Sequence, residues 1–165
     1  MRCAPRSSGS TIVTPRESGG RGPLLDWSAV KRTLIIVKPD GVSRGLVGEV
    51  LGRLERRGLR LVAAEMRRLD ADTAARHYAE HVGRPYYEGL VDFITSGPVL
   101  VGVVEGPDET WRLVRTMMGP TNPLDAAPGT IRGDLATVMA QNVIHGSDSA
   151  ESAEREIGIF FPGLV

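Results

Sequence analysis

The sequence predicts an α+β fold in which helices accompany a four-stranded antiparallel sheet in a single domain. Three observations support this prediction. The chain has 165 residues, enough for one domain and a tail. Hydrophobic residues make up 41% and aromatic residues only 5%, so we expect an aliphatic core. Short β-branched segments alternate with segments of helical spacing along most of the chain.

The first half of the domain is predicted to begin with a strand. Residues 33–37 are apolar and largely β-branched, and the turn sequence Lys38-Pro39-Asp40-Gly41 follows them. Apolar residues at helical spacing in 46–54 predict a helix that ends at Gly58. A partly alternating pattern at 59–69 predicts the second strand.

The middle of the chain is predicted to hold two helices and the most apolar strand. Residues 72–81 form the first of these helices, with Asp72 as its cap, and Arg84-Pro85 ends that region. A short helix follows at 86–95, and a third strand at 99–105.

The C-terminal third is predicted to begin with a helix at 107–117, which an irregular stretch at 119–133 follows. A helical turn near 134–139, a fourth strand at 142–144 and a last helix at 149–157 complete the chain. Asp148 and Glu151 are expected to cap the last helix. The irregular stretch is long for a compact domain, so we expect it to be functional. The element order contains β-α-β-β-α-β, the split βαβ or ferredoxin-like arrangement.

The N-terminal segment differs in composition from the rest. Residues 1–29 are rich in Gly, Ser, Pro and Arg and predict a disordered extension, whereas 30–165 form the domain. An organelle transit peptide is the alternative for the extension, because it contains several arginines and few acids. Cys3 is the only cysteine, so no disulfide can form within the chain, and a cytoplasmic location is expected.

Bulk charge gives no indication of a nucleic-acid or membrane partner. Twenty acidic and twenty basic residues cancel, and the apolar runs are too short to cross a bilayer. The basic residues are nearly all arginines, and the only lysines are Lys31 and Lys38. A lysine is therefore unusual at any position in this chain, and Lys38 lies at the end of a predicted strand.

Two of the three histidines form a pattern of their own. His77-Tyr-Ala-Glu-His81 matches the H-x-x-E-H pattern of inverted zinc proteases, in which Glu80 would be the base. Zinc requires a third protein ligand, and none is evident. We therefore expect these histidines to lie on a partly exposed helix without a metal.

His145 has a different setting. It follows a predicted strand, precedes Gly146, which favours unusual backbone angles or a close ligand, and lies just before a helix N-terminus. A neutral imidazole, with an ordinary pKa of about 6.5, can attack phosphorus. A buried structural histidine is the alternative, and local features leave both open.

Phosphate chemistry also needs cations. The P-loop pattern G-x-x-x-x-G-K-[ST] is absent, so another scaffold must hold any phosphate. Lys38, Arg115 and Arg132 are the candidates, although any one arginine could equally form a surface ion pair. Tyr86 and Tyr87 could stack on a base or pack in the core.

Seven segments together resemble the nucleoside diphosphate kinase family, and the likeness runs from about residue 32 to 161. They are Arg32-Thr-Leu-Ile-Ile-Val-Lys-Pro-Asp-Gly41, His77-Tyr-Ala-Glu-His81, Arg84-Pro-Tyr-Tyr87, Ser96-Gly-Pro98, Gly119-Pro-Thr-Asn-Pro123, Gly129-Thr-Ile-Arg-Gly133 and Asn142-Val-Ile-His-Gly-Ser-Asp-Ser149. The extension has no counterpart in the family.

The resemblance implies a ping-pong enzyme. His145 would accept the γ-phosphoryl group of ATP or another nucleoside triphosphate and pass it to a nucleoside diphosphate. The residues that match phosphate and ribose contacts are Lys38, Arg115, Thr121, Arg132 and Asn142. Tyr87 matches the aromatic that stacks on the base. Tyr78, Ser147 and Glu156 match residues around the histidine, with Glu156 orienting it.

The family also implies Mg²⁺ bridging the nucleotide phosphates, attack through Nδ1 of the histidine, and a homotetramer or homohexamer without nucleic acid or membrane. Three departures from its pattern are Tyr87 in place of Phe, Ala140-Gln141 in place of Gly-Arg, and Pro120. Two other functions stay open: an RNA-binding sheet, and a homologue that acts by assembly alone.

Overall fold

The computed structural model describes residues 31–165. The predicted extension at 1–29 lies outside these residues. Four strands form one antiparallel sheet in the order β2-β3-β1-β4. They are β1 (Lys31–Val37), β2 (Arg60–Arg68), β3 (Pro98–Gly106) and β4 (Ile144–Gly146). The predicted ferredoxin-like α+β fold is therefore confirmed.

Seven α-helices lie in the described part of the chain. They are α1 (Pro39–Ser43), α2 (Val47–Arg56), α3 (Ala71–His77), α4 (Tyr87–Thr95), α5 (Thr110–Met118), α6 (Ile131–Leu135) and α7 (Ala150–Phe160). Short 3-10 turns occur at Ala79–His81, Pro123–Asp125 and Pro162–Leu164. Within residues 31–165, none of the helices combines the length and the apolar character needed to cross a membrane.

The sheet carries a hydrophobic core on each face because alternate strand residues point to opposite sides. Ile35 and Val37 pack with α2, α5 and α6 on one face. Leu34 and Ile36 pack with α3, α4 and α7 on the other. All four side chains are fully buried, as expected for the central strand β1.

Two helix starts in the first half differ from the predictions. Lys38-Pro39-Asp40-Gly41 does not form a simple turn, because Pro39 occupies the first position of α1, where its missing N–H costs nothing. The cap of α3 is Asp70, which accepts a 2.6 Å hydrogen bond from the N–H of Thr73. Asp72 lies inside the first turn instead.

The later boundaries also shift. Helix α5 begins only at Thr110, because Glu109 has a left-handed φ of 59°. The helical turn expected near 134–139 forms earlier as α6, capped by Thr130, whose hydroxyl accepts from the N–H of Gly133 at 3.1 Å. Helix α7 is capped by Ser149 rather than by Asp148. Each shift moves a boundary and leaves the order of strands unchanged.

Candidate active site

Strand β4 carries His145 at its centre, whereas the sequence places the strand before this residue. The cause is Val143, which has a φ of 69° and therefore cannot continue a strand. Its N–H donates to Oδ2 of Asp40 at 3.0 Å, and its carbonyl accepts from the N–H of Lys38 at 2.8 Å. A β-branched residue at positive φ is strained, so these two contacts hold a costly conformation immediately before His145.

The register fixes the face on which the His145 side chain lies. His145 pairs with Ile36 of β1, and its neighbour Ile144 is buried in the core on the α5 side. Gly146 also faces α5, where a Cβ atom would stand 2.7 Å from Sδ of Met118. Gly146 is thus required by helix packing rather than by an unusual φ, and His145 points to the opposite face, towards α3 and α7.

Glu156 of α7 meets His145 there. Nε2 of His145 lies 3.0 Å from Oε2 of Glu156, and the hydroxyl of Ser147 donates to the same oxygen at 2.7 Å. Burial raises the pKa of the Glu156 carboxyl, but the His145 charge and hydrogen bond outweigh it and bring the pKa to about 2. The carboxylate is therefore an acceptor at neutral pH, so Nε2 carries the proton and Nδ1 keeps its lone pair.

His77 is part of the same cluster, contrary to the expectation that it lies on a partly exposed helix. It is 3% exposed, and its ring meets the ring of His145 edge-on with centroids 4.5 Å apart. The i, i+4 relation to His81 is lost because α3 ends at His77 and a 3-10 turn follows. Glu80 instead bonds to Arg155 at 3.1 Å. The H-x-x-E-H segment therefore does not form a zinc site on one helix.

A second group of predicted residues meets at the end of β1. The Nζ of Lys38 donates to Oδ1 of Asn142 at 2.6 Å, and the amide nitrogen of Asn142 donates to the carbonyl of Thr121 at 2.8 Å. Burial and then the nearby Arg132 lower the pKa of Lys38 to about 8, despite the opposing effect of Asp40. The long loop at 119–133 is thus connected to β1 through Asn142.

The two predicted arginines differ in setting. Arg132 is buried and donates to the carbonyls of Asn142, Gly119 and Ile144 at 3.3, 3.0 and 2.7 Å. Three of its five N–H groups are engaged by residues of the described domain, and the other two can bind a ligand. Burial and then Arg115 lower its pKa to about 10. Arg115 is partly exposed and makes a 3.5 Å contact with the carbonyl of Gly146.

The two predicted tyrosines, Tyr78 and Tyr87, lie on the α3 side of the sheet. Tyr78 is buried with its ring 4.6 Å from that of His77, and burial followed by the Glu156 charge raises its pKa to about 12. Tyr78 therefore contacts His77, whose ring in turn contacts the ring of His145. Tyr87 begins α4 and packs, partly buried, against the core on the α3 side.

Sequence reasoning missed three residues that shape this site. Asp40 and Val143 position the backbone beside His145, and His77 contacts its ring. Asp40 belongs to the segment that resembles the family, so its presence there was the available signal. Nothing in the chain composition or spacing indicates a positive φ at a valine.

Phosphoryl transfer needs a nucleophile and cations that neutralise phosphate charge, and the site offers both, so the fold and site define a phosphotransferase. A family model described as Nucleoside diphosphate kinase matches residues 31–164. The chain belongs to the nucleoside diphosphate kinase family, and it transfers phosphoryl groups between nucleotides.

Relatives and solved structures agree with this assignment. A nucleoside diphosphate kinase of Thermomicrobium roseum is 64% identical over 80% of this chain and 88% of its own. One from Frankia casuarinae is 60% identical over 82% of this chain and 98% of its own. A Halobacterium salinarum nucleoside diphosphate kinase in complex with CDP superposes with a TM-score of 0.77 at 51% identity, covering 79% of this chain and 87% of that one.

Proposed function

We propose that Nδ1 of His145 is the atom that carries the phosphoryl group between nucleotides. The observation that supports this choice is the 3.0 Å contact between Nε2 and the Glu156 carboxylate. A neutral imidazole has one N–H and one lone pair, so a proton held at Nε2 leaves the lone pair at Nδ1.

In the first half-reaction, the Nδ1 lone pair forms a bond to the γ-phosphorus of a nucleoside triphosphate. The bond from that phosphorus to the β,γ-bridging oxygen breaks, and the diphosphate leaves with the electron pair. The ring becomes a phosphorylated imidazolium, whose positive charge the ionised Glu156 stabilises. In the second half-reaction, a terminal oxygen of another nucleoside diphosphate attacks the phosphorus, and Nδ1 recovers its lone pair.

Five residues are proposed to hold the nucleotide phosphates and ribose: Lys38, Arg115, Thr121, Arg132 and Asn142. Lys38 and Asn142 are already in contact, and Arg132 bonds to the Asn142 carbonyl. None of the five is a carboxylate, so they do not form a protein cage for Mg²⁺. They fit instead a Mg²⁺ ion that arrives on the phosphate oxygens and neutralises part of their charge.

Tyr87 is proposed to stack on the base, with Tyr78 and Ser147 supporting the His77 and Glu156 side chains. Stacking uses the π-face that every base has, so we expect low selectivity among bases. Comparable turnover with adenine, guanine, cytosine and uracil diphosphates would support this, and preference for one base by more than about tenfold would contradict it.

The test of the nucleophile is labelling with γ-labelled ATP. We expect an acid-labile, base-stable phosphoprotein that loses its label when a nucleoside diphosphate is added. His145→Ala should abolish the label, and His81→Ala, which changes another histidine of the chain, should retain it. Labelling and turnover that persist in His145→Ala would refute the mechanism.

We further propose a homotetramer or homohexamer and a cytoplasmic location, with residues 1–29 outside the catalytic domain. Light scattering coupled to size exclusion would distinguish the two assemblies from each other and from a monomer. Deletion of residues 1–29 should leave kcat and KM within about twofold, since the family match begins at residue 31. A fluorescent fusion with and without the extension would reveal targeting.

A further inference from the structure

His77, His145 and Glu156 form a cluster of metal-ligating groups at the active site. One ligand atom from each of the three lies within 4.8 Å of the others. Nδ1 of His77 is 3.9 Å from Oε1 of Glu156, and Nε2 of His145 is 3.0 Å from Oε2. The two carboxylate oxygens of Glu156 therefore face one imidazole each.

The state of His77 is unexplained by the kinase reaction. Its side chain is 1% exposed, yet neither ring nitrogen has a hydrogen-bond partner among residues 31–165. Buried polar groups are rarely left unpaired, and an ion or water is a common reason where they are. An imidazole whose ring nitrogens have no hydrogen-bond partner can offer a lone pair to a metal ion.

We propose that His77, His145 and Glu156 together bind Zn²⁺ and that this binding inhibits the enzyme. Two imidazoles and one carboxylate are a donor set that zinc uses, with water or a substrate in the fourth position. Mg²⁺ prefers an all-oxygen shell and does not compete well for such donors. Tetrahedral ligands on zinc lie about 3.4 Å apart, so the three ligand atoms, now within 4.8 Å of one another, would move closer together on binding.

Inhibition follows from the proton on His145, and this step rests on the proposed role of Nδ1. Zinc takes the lone pair of Nε2, so the proton now on Nε2 must leave that atom. In a neutral ring it moves to Nδ1, which then has no lone pair to attack phosphorus. Zinc also withdraws Glu156 from its hydrogen bond with the ring.

The site differs from the H-x-x-E-H pattern in the sequence and gives a matched control. His81 is partly exposed, with its ring 5.7 Å from the ring of Tyr86, and Glu80 pairs with Arg155. His81→Gln therefore removes an imidazole four residues from His77 without touching the cluster. His77→Gln removes one proposed ligand and retains a polar side chain of similar length.

The first experiment is calorimetric titration of the full-length chain with Zn²⁺ in excess Mg²⁺, without nucleotide. All proteins carry Cys3→Ser so that the only thiol does not bind the metal. We expect one Zn²⁺ per chain, an affinity reduced at least about 100-fold by His77→Gln, and no change with His81→Gln. Absence of binding, or equal affinity in His77→Gln, would overturn the site.

The second measurement does not require a substitution at any of the proposed ligands. X-ray absorption at the zinc edge of the loaded Cys3→Ser protein should show scattering from two imidazoles. One imidazole or none would overturn the proposal. Zn²⁺ should also lower the rate of phosphoryl transfer, and a chelator should restore it. If zinc binds at two imidazoles but turnover persists, the site stands and the role of Nδ1 in His145 fails.

Discussion

Glu156 holds Nε2 of His145 at 3.0 Å through Oε2, the same oxygen that accepts from the Ser147 hydroxyl at 2.7 Å. This contact joins helix α7 to strand β4 across the face of the sheet that carries α3. It sets the direction of the imidazole and places a negative charge where the ring becomes positive during phosphoryl transfer.

Glu156→Gln should therefore lower kcat much more than it changes KM. The amide preserves the shape of the side chain but removes the charge that stabilises the phosphorylated ring, and it can hold the wrong tautomer. We expect a loss of kcat on the order of 10²-fold or more, measured in a coupled assay and by the rate of phosphoenzyme formation. A variant with the wild-type rate would show that the carboxylate is only structural.

Lys38 should make nucleotide binding depend on pH. Its pKa of about 8 means that the ammonium loses its proton just above neutral pH, and with it the charge that attracts phosphate. The second ionisation of a phosphate, near pH 6, is complete by then. We expect KM for the diphosphate to rise by up to about tenfold per pH unit above 8. Lys38→Arg, which stays charged, should flatten this profile, and an unchanged slope would contradict the assignment.

The lowered pKa of Lys38 also affects folding stability, which should increase with pH, whereas nucleotide binding should weaken. Burial lowers the pKa of Lys38 from 10.5 in the unfolded chain, so between about 8 and 10.5 the unfolded state binds more protons. The free energy of unfolding therefore rises with pH between about 8 and 10.5, and falls again as the pH is lowered through that range. Urea denaturation at a fixed protein concentration should show stability rising from pH 8 to 10 relative to Lys38→Met, which lacks this proton.

Arg132 and Arg115 should respond differently to the same substitution. Arg132→Gln breaks three hydrogen bonds to buried carbonyls and should cost about 3 kcal/mol of stability as well as nucleotide affinity. In the described part of the chain Arg115 makes a single hydrogen bond, of 3.5 Å, so Arg115→Gln should raise KM while changing stability by less than about 1 kcal/mol. Denaturant midpoints and KM values measured on both variants would separate the two roles, and equal stability losses would contradict them.

Asp40→Ala should weaken the turn before His145. It leaves the buried N–H of Val143 without the acceptor that now lies at 3.0 Å, at a cost of roughly 2 kcal/mol. Because His145 is two residues further along, kcat should fall as well. Asp40→Asn is the control, since its amide oxygen can still accept, and it should recover most of both losses. Full activity in Asp40→Ala would show that Val143 is held by other contacts.

The order of the strands along the chain and most element positions could be predicted from the sequence because local patterns are strong there. The run at 33–37 has only buried side chains, and Gly58 ends its helix with a φ of 91°. The errors occur where tertiary contacts decide. Strand β4 begins at Ile144 because Asp40, over 100 positions earlier, holds Val143 at positive φ.

The candidate site was predicted mainly through the resemblance, since local chemistry left His145 undecided. The sequence places Lys38 and Asn142 far apart, and only the folded chain shows their 2.6 Å contact. His77 was misjudged for the same reason. Its partners are His145 and Glu156 on other elements, whereas the pattern drew attention to His81 on its own segment.

Because the strained Val143 directly precedes β4, catalytic activity should report on whether this one strand is in place. Strand β4 has three residues and, among residues 31–165, lies at the edge of the sheet and pairs only with β1. Small elements at an edge open at a lower free energy than the core does. Mild denaturant should therefore detach β4 and abolish phosphoryl-transfer activity. The pairing of β2, β3 and β1 and the far-ultraviolet signal of the helices should persist at the same denaturant concentration.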